Sequence, residues 1–200
     1  MLKKLLKIFN TKKIFFFIIL VMPLGLLFFS NVNAEERESE LNNLFKQLKN
    51  SEATKAIEIE NKIWEIWSTY PTKDRKGYRL TELLDRGSLF LDKRQLKKAY
   101  EIFSQIIAVD SEWSEAWNKR ATVLYLMKKY QSSLDDINIT LTLEPRHFGA
   151  LSGQALNYIE LKQYEKAIKS YKAAQKIYPV MGAAKKMIPK LQGLINDQTI

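Results

Sequence analysis

The sequence predicts an all-α fold of stacked helix pairs, and three observations carry that expectation. Breakers are scarce, with 7 glycines and 5 prolines in 200 residues. Apolar residues recur at helical rather than alternating spacing over long stretches. The second half of the chain also resembles itself at a shift of 34 residues, which brings Pro145 onto Pro179 and Trp117 onto Leu151. With 46% hydrophobic and 27% charged residues, the chain can bury a core and lacks the composition of a disordered one.

Residues 1–34 read as an address rather than as part of the fold. Lys3, Lys4, Lys7, Lys12 and Lys13 form a basic start, Ile14 to Phe29 is apolar, and Ser30 to Ala34 leads into the polar run from Glu35 to Glu38. Small residues at Val32 and Ala34 suit a signal peptidase, so the expectation is a secretory signal peptide cleaved after Ala34. The rival reading is an uncleaved membrane anchor, since Ile14 to Ala34 is free of charge and approaches the ~20 residues that span a bilayer. Either way the rest of the chain is expected outside the cytoplasm, periplasmic or secreted in the first case and membrane-anchored in the second.

Residues 35–79 are expected to form an N-terminal helical hairpin and a connector. Leu41, Leu44, Phe45 and Leu48 mark its first helix. Ala56, Ile59, Ile63, Trp64, Ile66 and Trp67 mark the second, which Pro71 ends. Trp64 and Trp67 share one side of that helix and are expected to pack on the first repeat; the alternative is a pair of anchors for a partner. Thr72 to Arg79 reads as a polar, basic connector.

Residues 80–181 divide into three blocks, 80–113, 114–147 and 148–181. The fourth position carries Leu83, Trp117 and Leu151, the eighth Gly87, Ala121 and Ala155, and the eleventh Phe90, Leu124 and Tyr158. These fall on one helical stripe. A second stripe is made by Ala99, Ser133 and Ala167 at position twenty, Phe103, Ile137 and Tyr171 at twenty-four, and Ile106, Thr140 and Ala174 at twenty-seven. Small residues at eight and twenty let two helices approach, and Pro145 and Pro179 stop the second helix. Each block is therefore a helix–turn–helix that buries its apolar faces by stacking. Residues 182–200 supply a C-terminal capping helix with Met187, Leu191 and Leu194 on its apolar side.

The blocks resemble tetratricopeptide repeats, matching W-x2-L-G-x2-Y…A-x3-F…P in length and residue size. Arg120, where leucine is usual, Thr140 and Ser111 depart from the pattern. The resemblance implies an α-solenoid of three repeats that binds a protein or peptide on its concave side. Positions five, nine and twelve lie about 100° around the first helix from the core stripe, and the candidate groove residues among them are Ser88, Asn118, Thr122, Tyr125, Ser152, Leu156 and Ile159. Leu84 and Leu91 complete the set. Asn118 is the leading candidate, because an amide can donate to and accept from a peptide backbone. Some members of the family hold a partner's terminal carboxylate in a basic clamp. Here Leu84, Ser88, Gly149 and Gly153 stand where several clamp groups are expected, and Lys119 is left largely alone, so that mode is disfavoured.

Other chemistry finds little purchase. The net charge of +10 falls to 27 basic against 22 acidic residues once residues 1–34 are set aside, and no basic run with aromatics follows, which disfavours a nucleic-acid partner. There is no cysteine. The single histidine, His147, reads as a polar residue in an inter-repeat turn, and Asp135 with Asp136 as a solvated face. The chain is expected to be no enzyme, with no cofactor, metal or small-molecule substrate. The expected function is an exported scaffold or assembly factor for envelope proteins; the alternatives are a membrane-anchored subunit of a membrane complex and an accessory domain of an enzyme system.

Overall fold

The computed structural model describes residues 35–197. The export signal, its cleavage after Ala34 and the alternative anchor fall outside the described residues. Every regular element among those described is an α-helix: α1 over residues 35–50, α2 Ala53–Ser68, α3 Arg75–Asp92, α4 Leu96–Val109, α5 Ser114–Leu126, α6 Tyr130–Leu143, α7 Phe148–Glu160, α8 Tyr164–Ile177 and α9 Gly182–Asp197. None is long and apolar enough to cross a membrane. The chain divides into two units after Glu40, and residues from Leu41 onward form one of them.

Three pairs, α3 with α4, α5 with α6 and α7 with α8, stack in order, as the period requires. Each pair turns back through three residues, and the middle one is always a cation in the left-handed region: Arg94 at φ 57°, Lys128 at 61° and Lys162 at 58°. In every copy the N–H after the cation bonds back to a carbonyl five residues earlier, as Lys129 does to Leu124 at 2.9 Å. That bond is the signature of the Schellman helix end, whose left-handed residue is usually glycine. The positive charge suits the helix C-terminus, where unpaired carbonyls concentrate negative potential.

The second core stripe is buried as expected, whereas in the first stripe position eight is buried but Leu83, Trp117, Phe90 and Tyr158 are only half-buried. Positions twenty, twenty-four and twenty-seven are buried in all three repeats. Polar members of the stripe satisfy themselves on the backbone: the Ser133 hydroxyl donates to the Ala121 carbonyl at 2.8 Å, and that of Thr140 to Asp136 at 3.0 Å. At position eight, a Cβ on Gly87 would sit 2.5 Å from Phe103 Cε1. Helix α9 closes the far end, setting Ala184 and Leu191 against Ala155, Ala167 and Tyr171; Pro189 lies within it.

Three expectations need correction. Arg75 to Arg79 is not connector but the first turn of α3, because the Asp74 carboxylate accepts the Gly77 N–H at 2.7 Å and caps the helix. Asp136 is not on a solvated face: it is buried and holds Arg120 through two bonds of 2.7 and 2.8 Å. Arg120 also lies over the Trp117 ring at 4.8 Å, so the unexpected cation is accommodated as a bidentate, stacked guanidinium.

The largest correction concerns the hairpin, which does not pack on the first repeat alone. Leu41, Leu44, Phe45 and Leu48 join Ala56, Ile59, Ile63 and Trp67 in a cluster with Phe148 and Tyr178, which begin the third repeat and close it. Helix α2 runs along the inter-repeat turns. At the first turn the Tyr70 hydroxyl donates to Asp110. At the last, the Tyr178 hydroxyl donates to Glu60 at 3.0 Å. Asp110 and Tyr178 are two periods apart, and the segment from Glu60 to Tyr70, the end of α2 and the two residues after it, covers that span.

Candidate binding groove

Helix α3 touches α5 and α5 touches α7, so the first helices line the inner side of the array. The hairpin covers their N-terminal ends. Trp113 Nε1 donates to the Trp67 carbonyl at 2.9 Å. A Cβ on Gly149, at position two of the third repeat, would lie 2.5 Å from Trp64 Cη2.

Position five is where this matters most. Leu84 is only 1% exposed and shares a core cluster with Tyr70. Asn118, expected to meet a ligand, is buried, and its amide donates to Glu115 Oε2 at 3.0 Å. Its amide is therefore directed at an internal partner, and the expectation for Asn118 is corrected. Ser152 is half-buried beside the Tyr171 hydroxyl.

Positions nine and twelve stay open. Thr122 is exposed, Leu156 is 37% exposed, and Ser88, Leu91, Tyr125 and Ile159 are half-buried. The Tyr125 and Tyr130 rings lie 5.8 Å apart, and the Tyr130 hydroxyl donates to Glu160 at 3.0 Å. Burial, then the Glu160 charge, pushes the Tyr125 hydroxyl above its ordinary range, so it remains a donor at neutral pH. The open half thus offers apolar side chains, two hydroxyl-bearing rings and a carboxylate.

Sequence reasoning missed the group beneath. Glu115 is fully buried in the first turn of α5. His147 Nδ1 accepts the Ala150 N–H at 3.0 Å and caps α7, which leaves Nε2 to donate to Glu115 at 2.9 Å. Lys119, far from standing alone, lies 3.4 Å from the other carboxylate oxygen. Burial would raise the Glu115 carboxyl, but His147, Lys119 and Asn118 together hold it below its ordinary value. His147 is in the turn as expected, yet fully buried. The available signal was its place just ahead of an apolar block, where a side-chain acceptor caps a helix. Among the described residues no group of three or more acidic or histidine side chains could hold a metal ion.

No protein-family profile matches the chain. A TPR repeat-containing protein of Rhizobium etli is 30% identical over 168 residues, which is 80% of each chain. The chain belongs to the tetratricopeptide repeat family. Solved TPR domains share its fold. The first TPR domain of human RPAP3 covers 60% of this chain and 94% of its own length, with a TM-score of 0.58 and 18% identity. The first TPR of Spaghetti (RPAP3), solved with the HSP90 peptide SRMEEVD, covers 58% of this chain and 93% of its own, at a TM-score of 0.57 and 18% identity. At such identity the likeness is one of fold.

Proposed function

We propose that this TPR protein is an exported interaction module that holds a peptide or helix of an envelope protein in the open half of its inner face. The observation that carries the reading is the uncovered band at positions nine and twelve, where Leu156 and Thr122 are exposed beside half-buried Tyr125 and Ile159. A peptide-bound TPR domain of the same fold supports the class of ligand. The ligand differs from a chaperone tail, because Gly149 lies under Trp64 and Lys119 is engaged by Glu115. Export rests on the lysine-rich start, apolar run and small-residue site of residues 1–34.

Photo-crosslinking tests the reading. A benzophenone amino acid at Leu156 should trap one partner segment in intact cells, and the same probe at Lys172 should not. N-terminal sequencing of the recovered chain distinguishes a start at Glu35 from an uncleaved anchor. Trapping from Lys172 alone, or an activity confined to the cytoplasm, sinks the proposal.

A further inference from the structure

The first repeat has an open end. In the second repeat, Arg120 reaches across to α4, placing Nη1 3.2 Å from Ser104 Oγ and its guanidinium over the Tyr100 ring. One period earlier, Leu83 and Arg86 occupy the corresponding places on α3, but among the described residues no helix precedes them in the stack, because α2 runs along the turns instead. A groove of about 860 Å³ is left between α3 and α4. Leu80, Leu83 and Val109 line it, and Arg75, Lys76 and Arg79 edge it. Val109 is 57% exposed.

The charges say what fits. Lys76 is held by Asp110 at 3.6 Å. Arg75 and Arg79 are exposed and make no ion pair among the described residues. Four residues apart on one helix, they face the same way. A second copy stacked by its far end would bring the exposed Lys185, Lys186 and Lys190 of α9 against them, cation upon cation. The lysine-rich start of the chain has the wrong sign as well.

We infer that this groove takes an amphipathic helix of another protein, apolar on one face and acidic along its flank, which completes the stack as a donated second helix. Its apolar stripe replaces water over Leu83 and Val109, and its carboxylates pair with Arg75 and Arg79. This surface is separate from the inner face, and neither assignment depends on the other.

The probe is a fluorescein-labelled 17-residue helical peptide with leucine on one face and glutamate beside it, titrated into the full chain by fluorescence polarisation. Its counterpart carries lysine for glutamate. The acidic peptide should bind at least tenfold tighter, and less tightly as salt rises. Reversing both arginines, R75E with R79E, should invert the preference toward the lysine peptide, which damage to the fold alone would not do. Val109→Asp should weaken the acidic peptide tenfold or more, and Lys172→Glu, on α8, should leave it unchanged. The inference is overturned by equal binding of both peptides, by no acidic-peptide binding, or by an unchanged preference after reversal. Sedimentation showing a dimer that the double reversal dissociates would overturn it too, by making a second copy the occupant.

Discussion

The Trp67 indole lies flat on the His147 imidazole, with ring centroids 4.0 Å apart and planes within 8° of parallel. Trp67 comes from the hairpin and His147 from the turn into the third repeat, so one stacked pair joins elements 80 residues apart in sequence. Trp67→Ala should lower stability by about 3–5 kcal/mol, the usual cost of emptying a buried aromatic site. Urea denaturation followed by circular dichroism measures it; an unchanged midpoint means the hairpin is not held there.

The acid limb of stability should report Glu115. Its carboxyl is held below the ordinary 4.5 in the folded state, so its contribution is complete above pH 4.5 and is lost as pH falls through the depressed value. Asp110 and Glu144 shift the same way, the first through Tyr70 and the second through Arg146, both against the effect of burial. Glu115→Gln should therefore destabilise at pH 7 and flatten the decline below pH 4.5. An acid limb identical to that of the unaltered chain would rule Glu115 out. On the alkaline side, burial and then Glu60 push Tyr178 up to about 12, so stability from that contact should fade between pH 10 and about 12.

Lys128→Gly should stabilise the protein, by up to about 1 kcal/mol. An L-residue in the left-handed region costs ~1–2 kcal/mol, which glycine avoids while losing more chain entropy on folding. Arg94 and Lys162 sit in the same conformation one repeat away on either side, so their glycine variants should add to it nearly independently. A fall in thermal midpoint for all three variants would mean the cations contribute more at the helix ends than their backbone strain costs.

Gly87→Ala should destabilise by about 1–3 kcal/mol through overpacking against Phe103. Ala121→Leu and Ala155→Leu, at the same position of the next two repeats, should do likewise, as both alanines are buried. Denaturation midpoints that do not move would show that position eight is not a helix–helix contact.

Asn118→Ala and Leu156→Asp should separate stability from binding. Removing the Asn118 amide leaves Glu115 short of a donor inside the protein, at a cost of roughly 1–3 kcal/mol. Leu156→Asp should barely alter the melt but should abolish co-purification of the partner that the crosslinking experiment identifies. The opposite pattern would place the ligand at position five, beneath the hairpin.

The sequence made the helix pairs legible because a period of 34 residues repeats the steric demand at each contact: small at Gly87, Ala121 and Ala155, large at Phe103, Ile137 and Tyr171. The helix ends at Arg94, Lys128 and Lys162 obeyed the same period yet escaped notice, since a cation carries no mark of a left-handed backbone as glycine does. The hairpin's docking was beyond reach for another reason. An apolar stripe such as Ile59, Ile63 and Trp67 says that a helix must be buried, not against which surface. That choice decided the candidate groove, turning Leu84 and Asn118 inward and leaving Thr122, Tyr125, Leu156 and Ile159 available.

The bond between Glu60 and Tyr178 spans 118 residues of sequence. Repeat arrays ordinarily fold through neighbours alone, so each unit can form as soon as it has been made. The hairpin cannot. It leaves the ribosome before its landing place has been made, a delay on the order of ten seconds at ordinary elongation rates of ~5–20 residues per second. Throughout that interval the two helices of the hairpin have only each other to pack on, and the side that later meets Phe148 and Tyr178 stays uncovered, available to whatever receives a nascent polypeptide.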